Sequence, residues 1–172
     1  MSQPLEAATI FREHGRYVYR LLRRLGIPQS DLDDASQEVF LVVHRKLDSF
    51  EGRGSVRAWV YGICVRVVTQ YRRRRKANPV IVSGDDVEAI DVTTPVESLG
   101  AEEARKAFAA ILDQLDDDRR TVFVLFELEG LTMQEIVELV GCPLQTGYSR
   151  LNKAREAVES AVRRYLARRN FK

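Results

Sequence analysis

The chain has 172 residues, 45% of them apolar and 30% charged, and its 27 basic and 25 acidic side chains leave a formal net charge of +2. This length admits one domain or two small ones, and the apolar share is ordinary for a globular protein that buries a core. With no run of about 18 apolar residues and no basic-then-apolar leader ending in a small-residue cleavage site, neither membrane insertion nor secretion is expected; the reading is cytoplasmic. Cys64 and Cys142 lie far apart and His14 and His44 have no partner at ligand spacing, so no disulfide, metal site or cofactor is expected.

The small net charge conceals segregation. Residues 1–76 carry 15 basic and 8 acidic side chains, residues 77–104 none and 7, and residues 105–172 carry 12 and 10. Two modules, one strongly basic, therefore flank an acidic connector, and a module of that charge suits a polyanionic partner. The divisions read as 1–76, a linker at 77–97, and 98–172.

Ile10, Tyr17, Val18, Leu21, Leu22 and Leu25 recur at helical spacing until Gly26-Ile27-Pro28 breaks the pattern. Ser30, with Asp33 three residues on, is expected to cap a second helix whose inward stripe is Leu32, Ala35, Val39, Val42/Val43 and Leu47. Its polar face offers Asp34, Gln37, Glu38 and Arg45 together with Phe40, an aromatic off the stripe that either meets a protein partner or folds onto a neighbouring helix. The two glycines in 49–55 make a loop. A third helix runs from Ser55 to about Arg75, with Val56, Trp59/Val60, Ile63, Val67 and Gln70/Tyr71 inward and Arg57, Tyr61, Arg66, Thr69 and the cations Arg72 to Lys76 outward. Cations beside aromatics are what single-stranded nucleic acid requires, since phosphates need positive charge and unstacked bases need flat partners; a solvated helix end with Trp59 in the core is the other reading.

Residues 77–95 have no helical period and no cation, and read as a flexible linker. Helical spacing returns with Ala104, Phe108, Ile111, Leu112 and Leu115, and Asp116 to Asp118 cap a helix so dense in Val122, Phe123, Leu125 and Phe126 that it could pass for a strand. Thr132 and Glu135 form a capping box, Ile136, Val137, Leu139 and Val140 face inward, and Gly141-Cys142-Pro143 ends the helix. A long helix follows, apolar at Leu144, Gly147/Tyr148, Leu151, Ala154, Val158, Ala161/Val162 and Tyr165, and polar opposite at Gln145, Thr146, Ser149, Asn152, Lys153 and Arg155. Two helices joined by a short glycine turn, the second carrying side chains that reach base edges, fit a helix-turn-helix in a major groove. The whole reads as all-α: two small helical domains on a flexible acidic tether.

Asp34 to Phe40 resembles the DxxQEVF core of region 2 in the extracytoplasmic-function sigma factors, and 55–75 is similar to the tryptophan-containing helix and basic tail that follow it there. Residues 112–128 resemble the opening of region 4, and Gly141 with Thr146 to Leu151 resembles its helix-turn-helix. The resemblance implies an initiation subunit, not an enzyme, whose partners are core RNA polymerase, through its clamp coiled coil and flap, promoter DNA as duplex and as melted non-template strand, and often an anti-sigma factor. It implies that Asp34, Gln37, Glu38 and Phe40 meet the polymerase. Ser49, Phe50, Arg53, Ser55, Arg57, Trp59, Tyr61, Arg66, Arg72, Arg73 and Arg74 would then read or melt the minus-ten element. Gln145, Thr146, Tyr148, Ser149, Asn152 and Lys153 would face the minus-thirty-five element, with Arg150 and Arg155 on phosphates or in salt bridges. Pro143 stands where the family usually has a capping Ser, and Gly147-Tyr148 where it has Val and a basic residue. The competing reading is a helix-turn-helix regulator that binds duplex DNA without joining a polymerase.

Overall fold

The computed structural model describes residues 6–50, 52, 55–77 and 99–170. The regular elements among the described residues are all helical, and the chain divides into two compact units. Arg53 and the acidic stretch 78–98 lie outside the described residues.

In the first unit, α1 (Ala7–Arg24), α2 (Leu32–Lys46) and α3 (Val56–Ala77) pack pairwise around one core. Most of the stripes expected from spacing are buried: Ile10, Val18, Leu21 and Leu22 from α1, Leu32, Ala35, Val39 and Val43 from α2, Val60, Ile63 and Val67 from α3; Cys64 and Val68 join them, while Tyr17, Leu47 and Val56 are half-buried. Gly26 ends α1 with a left-handed φ of 102°. Its N–H donates to the Arg23 carbonyl at 3.0 Å and that of Ile27 to Leu22 at 3.1 Å, a Schellman closure whose apolar contact is the buried Ile27. Ser30 does not cap α2. A 3₁₀ turn, Gln29–Asp31, intervenes, the Ser30 hydroxyl donates to Asp31 at 2.9 Å, and α2 starts behind Asp31 without a side-chain cap. The Asp31 carboxylate is held instead by the Tyr71 hydroxyl of α3. Burial and that bond push the Tyr71 phenol up to about 12.

In the second unit, α4 (Leu99–Leu112), α5 (Asp117–Phe123), α6 (Met133–Val140) and α7 (Leu144–Asn170) enclose Ile111, Leu112, Val122, Val124, Leu125, Ile136, Leu151 and Ala154. Asp116 caps α5 as expected, accepting from the Arg119 N–H at 2.9 Å. The apolar run that could pass for a strand is helical, but Val124–Leu128 forms a π-turn, with the Glu129 N–H reaching the Val124 carbonyl at 3.1 Å. Arg120, nearly buried, is neutralised by Asp113 at 2.7 Å. Ala104, expected inside, is exposed.

Candidate nucleic-acid interface

On α3, residues seven apart share a face. Trp59, Arg66 and Arg73 fall on one outward stripe, with Thr69 and Gln70 between them, and all but the half-buried Trp59 are exposed. Trp59 has the Phe50 ring beside it, centroids 5.0 Å apart and planes tilted 40°. Ser55 starts this helix by accepting from the Ala58 N–H at 3.1 Å, and Ser49 is held by its own turn through the Lys46 carbonyl at 2.8 Å.

Three placements differ from the sequence expectation. Tyr61, expected outward, is 3% exposed: its ring meets Tyr17 edge-on at 5.2 Å and its hydroxyl accepts from Arg57 at 3.1 Å. It presents no free face to a base. Instead it anchors Arg57, whose guanidinium lies 4.8 Å over Tyr17. Gln70, expected inward, joins the exposed stripe. Arg72, expected on DNA, donates to the Leu25 carbonyl at 2.6 Å and closes the end of α1. Arg74 stays outward, 70% exposed, in a 3.4 Å pair with Glu38.

Around α2, Asp34 and Gln37 are exposed. Phe40 is half-buried, its ring meeting Phe11 of α1 edge-on at 4.8 Å. Phe11 is itself 58% exposed and Leu41 55%, so the pair and Leu41 leave apolar surface beside the polar positions. Sequence spacing missed Phe11 because it lies off the inward stripe of α1.

The helix-turn-helix is built as its spacing predicts. The Thr132 hydroxyl accepts from the Glu135 N–H at 3.3 Å, and the Glu135 carboxylate accepts from the Thr132 N–H at 2.8 Å. Those bonds to Thr132, the backbone donor first, hold the Glu135 carboxyl below the usual carboxylate range. Gly141 takes φ 71° and ψ 47°, and the N–H groups of Gly141 and Cys142 share the Val137 carbonyl at 2.9 and 3.2 Å. Helix α7 then crosses α6 at Gly147, where an added Cβ would come within 2.7 Å of both Met133 Sδ and Val137 Cγ1.

Outward from that crossing lie Gln145, Tyr148, Ser149, Asn152 and Lys153, all exposed, and the half-buried Thr146. Gln145, Thr146, Ser149, Arg150 and Lys153 line an open groove with Pro143 and with Asp116, Asp118 and Arg119 of the α5 end. Arg119 was not singled out from sequence because only the fold brings it to this groove. Arg150 pairs with Asp118 at 2.5 Å and Arg155 with Glu127 at 2.6 Å, the salt-bridge alternative for both. Leu144 and Tyr148, assigned to the apolar face by spacing, are 45% and 48% exposed.

Two helical units, one ending in a basic ridge and the other carrying a helix-turn-helix, define the class, and family comparison agrees. Residues 10–78 match the model for sigma-70 region 2 and residues 105–158 that for sigma-70 region 4. The chain is 30% identical over 151 residues to the ECF RNA polymerase sigma-E factor of Escherichia coli K12, covering 83% of this chain and 79% of that protein. It is 32% identical over 145 residues to the Haemophilus influenzae sigma-E factor, covering 79% and 77%. Among solved structures, that of CnrH in complex with the cytosolic domain of CnrY superposes with TM-score 0.61 at 25% identity, over 91% of this chain and 86% of that one. That of the sigma factor RpoE in complex with the anti-sigma factor NepR from Bartonella quintana gives 0.65 at 23%, over 89% and 96%, and supports the fold. The chain belongs to the extracytoplasmic-function RNA polymerase sigma factors. It is a transcription-initiation factor that binds core RNA polymerase and directs it to promoters. Among the described residues no helix is long and apolar enough to cross a membrane.

Proposed function

We propose that the first unit binds core polymerase and opens the minus-ten element while the second holds the minus-thirty-five element as duplex, in the cytoplasm and without catalysing a reaction. The observation that carries this reading is the α3 stripe of Trp59, Arg66, Thr69, Gln70 and Arg73 leading into the basic helix end. Melting costs a few kcal/mol of unstacking, and only binding of the exposed strand offsets it. Trp59 with Phe50 supplies the aromatic surface, Arg57, Arg66, Arg73 and Arg74 the charge, and Ser49, Ser55 and Arg53 the loop between α2 and α3.

Asp34, Gln37 and Glu38, with the Phe11–Phe40 pair, form the polymerase-binding surface: polar groups around a small apolar centre, as protein interfaces are built. On α7, Gln145, Thr146, Ser149, Asn152 and Lys153 read base edges, and Tyr148 supplies an apolar contact where the family has a cation. An anti-sigma factor is the expected inhibitor, in keeping with the solved relatives.

Run-off transcription on fragmented genomic DNA, with bacterial core polymerase and this protein, tests the reading. New transcripts that depend on the protein are expected, and Gln37→Ala with Phe40→Ala should abolish them by preventing association with the core enzyme. A protein that shifts duplex DNA alone, never joins the core and starts no transcript would overturn it.

A further inference from the structure

We propose that Asp118 and Glu127 are positioning residues that fix the roll of α7 about its own axis, and so decide which of its side chains face the minus-thirty-five element. The inference rests on α7 being the helix that meets that duplex.

The buried seam of α7 runs through Leu151 and Ala154. At about 100° per residue, Arg150 lies roughly 70° to one side of the seam midline and Arg155 roughly 70° to the other. Diametrically opposite fall Gln145, Ser149 and Lys153, with Thr146 and Asn152 flanking them. Each arginine is held from the α5 side of the unit: Arg150 by Asp118 at 2.5 Å, in the first turn of α5, and Arg155 by Glu127 at 2.6 Å, in the π-turn. Arg155 also lies 5.4 Å over the Phe126 ring. A roll of α7 in either sense therefore stretches one pair.

The apolar seam through Gly147, Leu151 and Ala154 holds the inward side of α7, and the two ion pairs that flank it trim the final roll. On a helix about 10–12 Å across, a roll of roughly 20° carries an outward side chain by about 2 Å, more than a base-edge hydrogen bond tolerates. Pairs as exposed as these add little to global stability. Their effect should therefore appear in base preference and leave folding almost unchanged.

The test uses the full chain with core polymerase and selects bound DNA from a library randomised over the upstream element. Asp118→Asn and Glu127→Gln keep the shape of each side chain and remove its charge. The double variant is expected to lose about tenfold in discrimination at one or more upstream positions. Its minus-ten preference and thermal midpoint should match those of the parent. Reversing one pair, Asp118→Arg with Arg150→Asp, should restore upstream discrimination in an otherwise unaltered chain relative to either single reversal.

Unchanged preference in the double variant would overturn the proposal. So would a reversed pair that fails to restore preference, since Arg150 would then act on the DNA directly. A parent holoenzyme with no upstream preference at all would instead overturn the assignment of α7 to the minus-thirty-five element.

Discussion

Gly147 shows how far a single residue can be judged without its neighbours. Glycine inside a helix costs about 1 kcal/mol relative to alanine, and the family usually has Val here, so sequence alone suggests that alanine would stabilise α7. The structure reverses the sign. The missing Cβ is the space into which Met133 and the stiff, β-branched Val137 of α6 pack. Gly147→Ala is expected to destabilise the second unit by about 1–3 kcal/mol, as overpacking does, and Val137→Ala in the same chain should return part of that loss. Urea denaturation of the two variants and the parent measures both. The reason was illegible because Met133 and Val137 lie on another helix: spacing along α7 reports what alternates, not what approaches. The same limit explains Tyr61 and Arg72. Each looks outward by composition, one as an aromatic within a basic helix and one as the first of five cations, yet Tyr17 claims the first and the Leu25 carbonyl the second.

Elements were far more legible than side-chain partners. Most of the helical stripes, the Asp116 cap, the Thr132–Glu135 capping box and the left-handed stop at Gly141 follow from periodicity and backbone freedom, which are local properties, and appear where spacing puts them. The misses at this scale are equally physical. Ser30 misses the cap of α2 because the 3₁₀ turn Gln29–Asp31 moves the helix start to Leu32, while Asp31, now at the cap position, is held by Tyr71, forty residues on; and nothing in the run Val124 to Leu128 announces a π-turn. The capping box of α6 carries a pH dependence. Glu135 is held below its unfolded value, so its contribution is present above the ordinary carboxylate range and is lost as the pH falls through the depressed value. The difference in melting temperature between the parent and Glu135→Gln should therefore shrink on acidification from pH 7. A difference independent of pH would show that the carboxylate charge is idle. On α3, neighbouring arginines should separate by function. Arg72→Ala should lower the stability of the first unit by about 1–3 kcal/mol by stripping a partner from a helix-end carbonyl, whereas Arg73→Ala should leave stability within about 0.5 kcal/mol. Promoter melting should follow the opposite order, weakened by Arg73→Ala at temperatures where both variants are folded; permanganate reactivity of unpaired thymines reports it.

At the scale of the whole molecule, two units with separate cores mean that damage stays local. The chain contains one tryptophan, Trp59, which lies in the first unit. Its fluorescence should therefore follow that unit alone, while helical circular dichroism follows both. Gly147→Ala should shift the dichroism transition and leave the Trp59 transition in place, and Arg72→Ala should move the Trp59 transition. If both probes shift together for either variant, the units unfold as one. The division also suits the task, since two modest footprints on one tether gain affinity through effective concentration rather than through a large surface on either unit.

The π-turn has a consequence for how this helix-turn-helix tolerates insertions and deletions. Asp118 and Glu127 are nine residues apart, about two and a half turns of regular α-helix, which would aim them to opposite sides. The wider turn at Val124–Leu128 behaves as an extra residue absorbed without a break, and it rotates Glu127 back toward Arg155. Upstream of it the phase of the helix is set by Asp118, downstream by Glu127. Removing one residue between 124 and 126 should therefore restore ordinary α-helical geometry at the turn while keeping both Arg150 on Asp118 and Arg155 on Glu127, whereas a deletion elsewhere in α5 would swing Asp118 out of phase with Glu127.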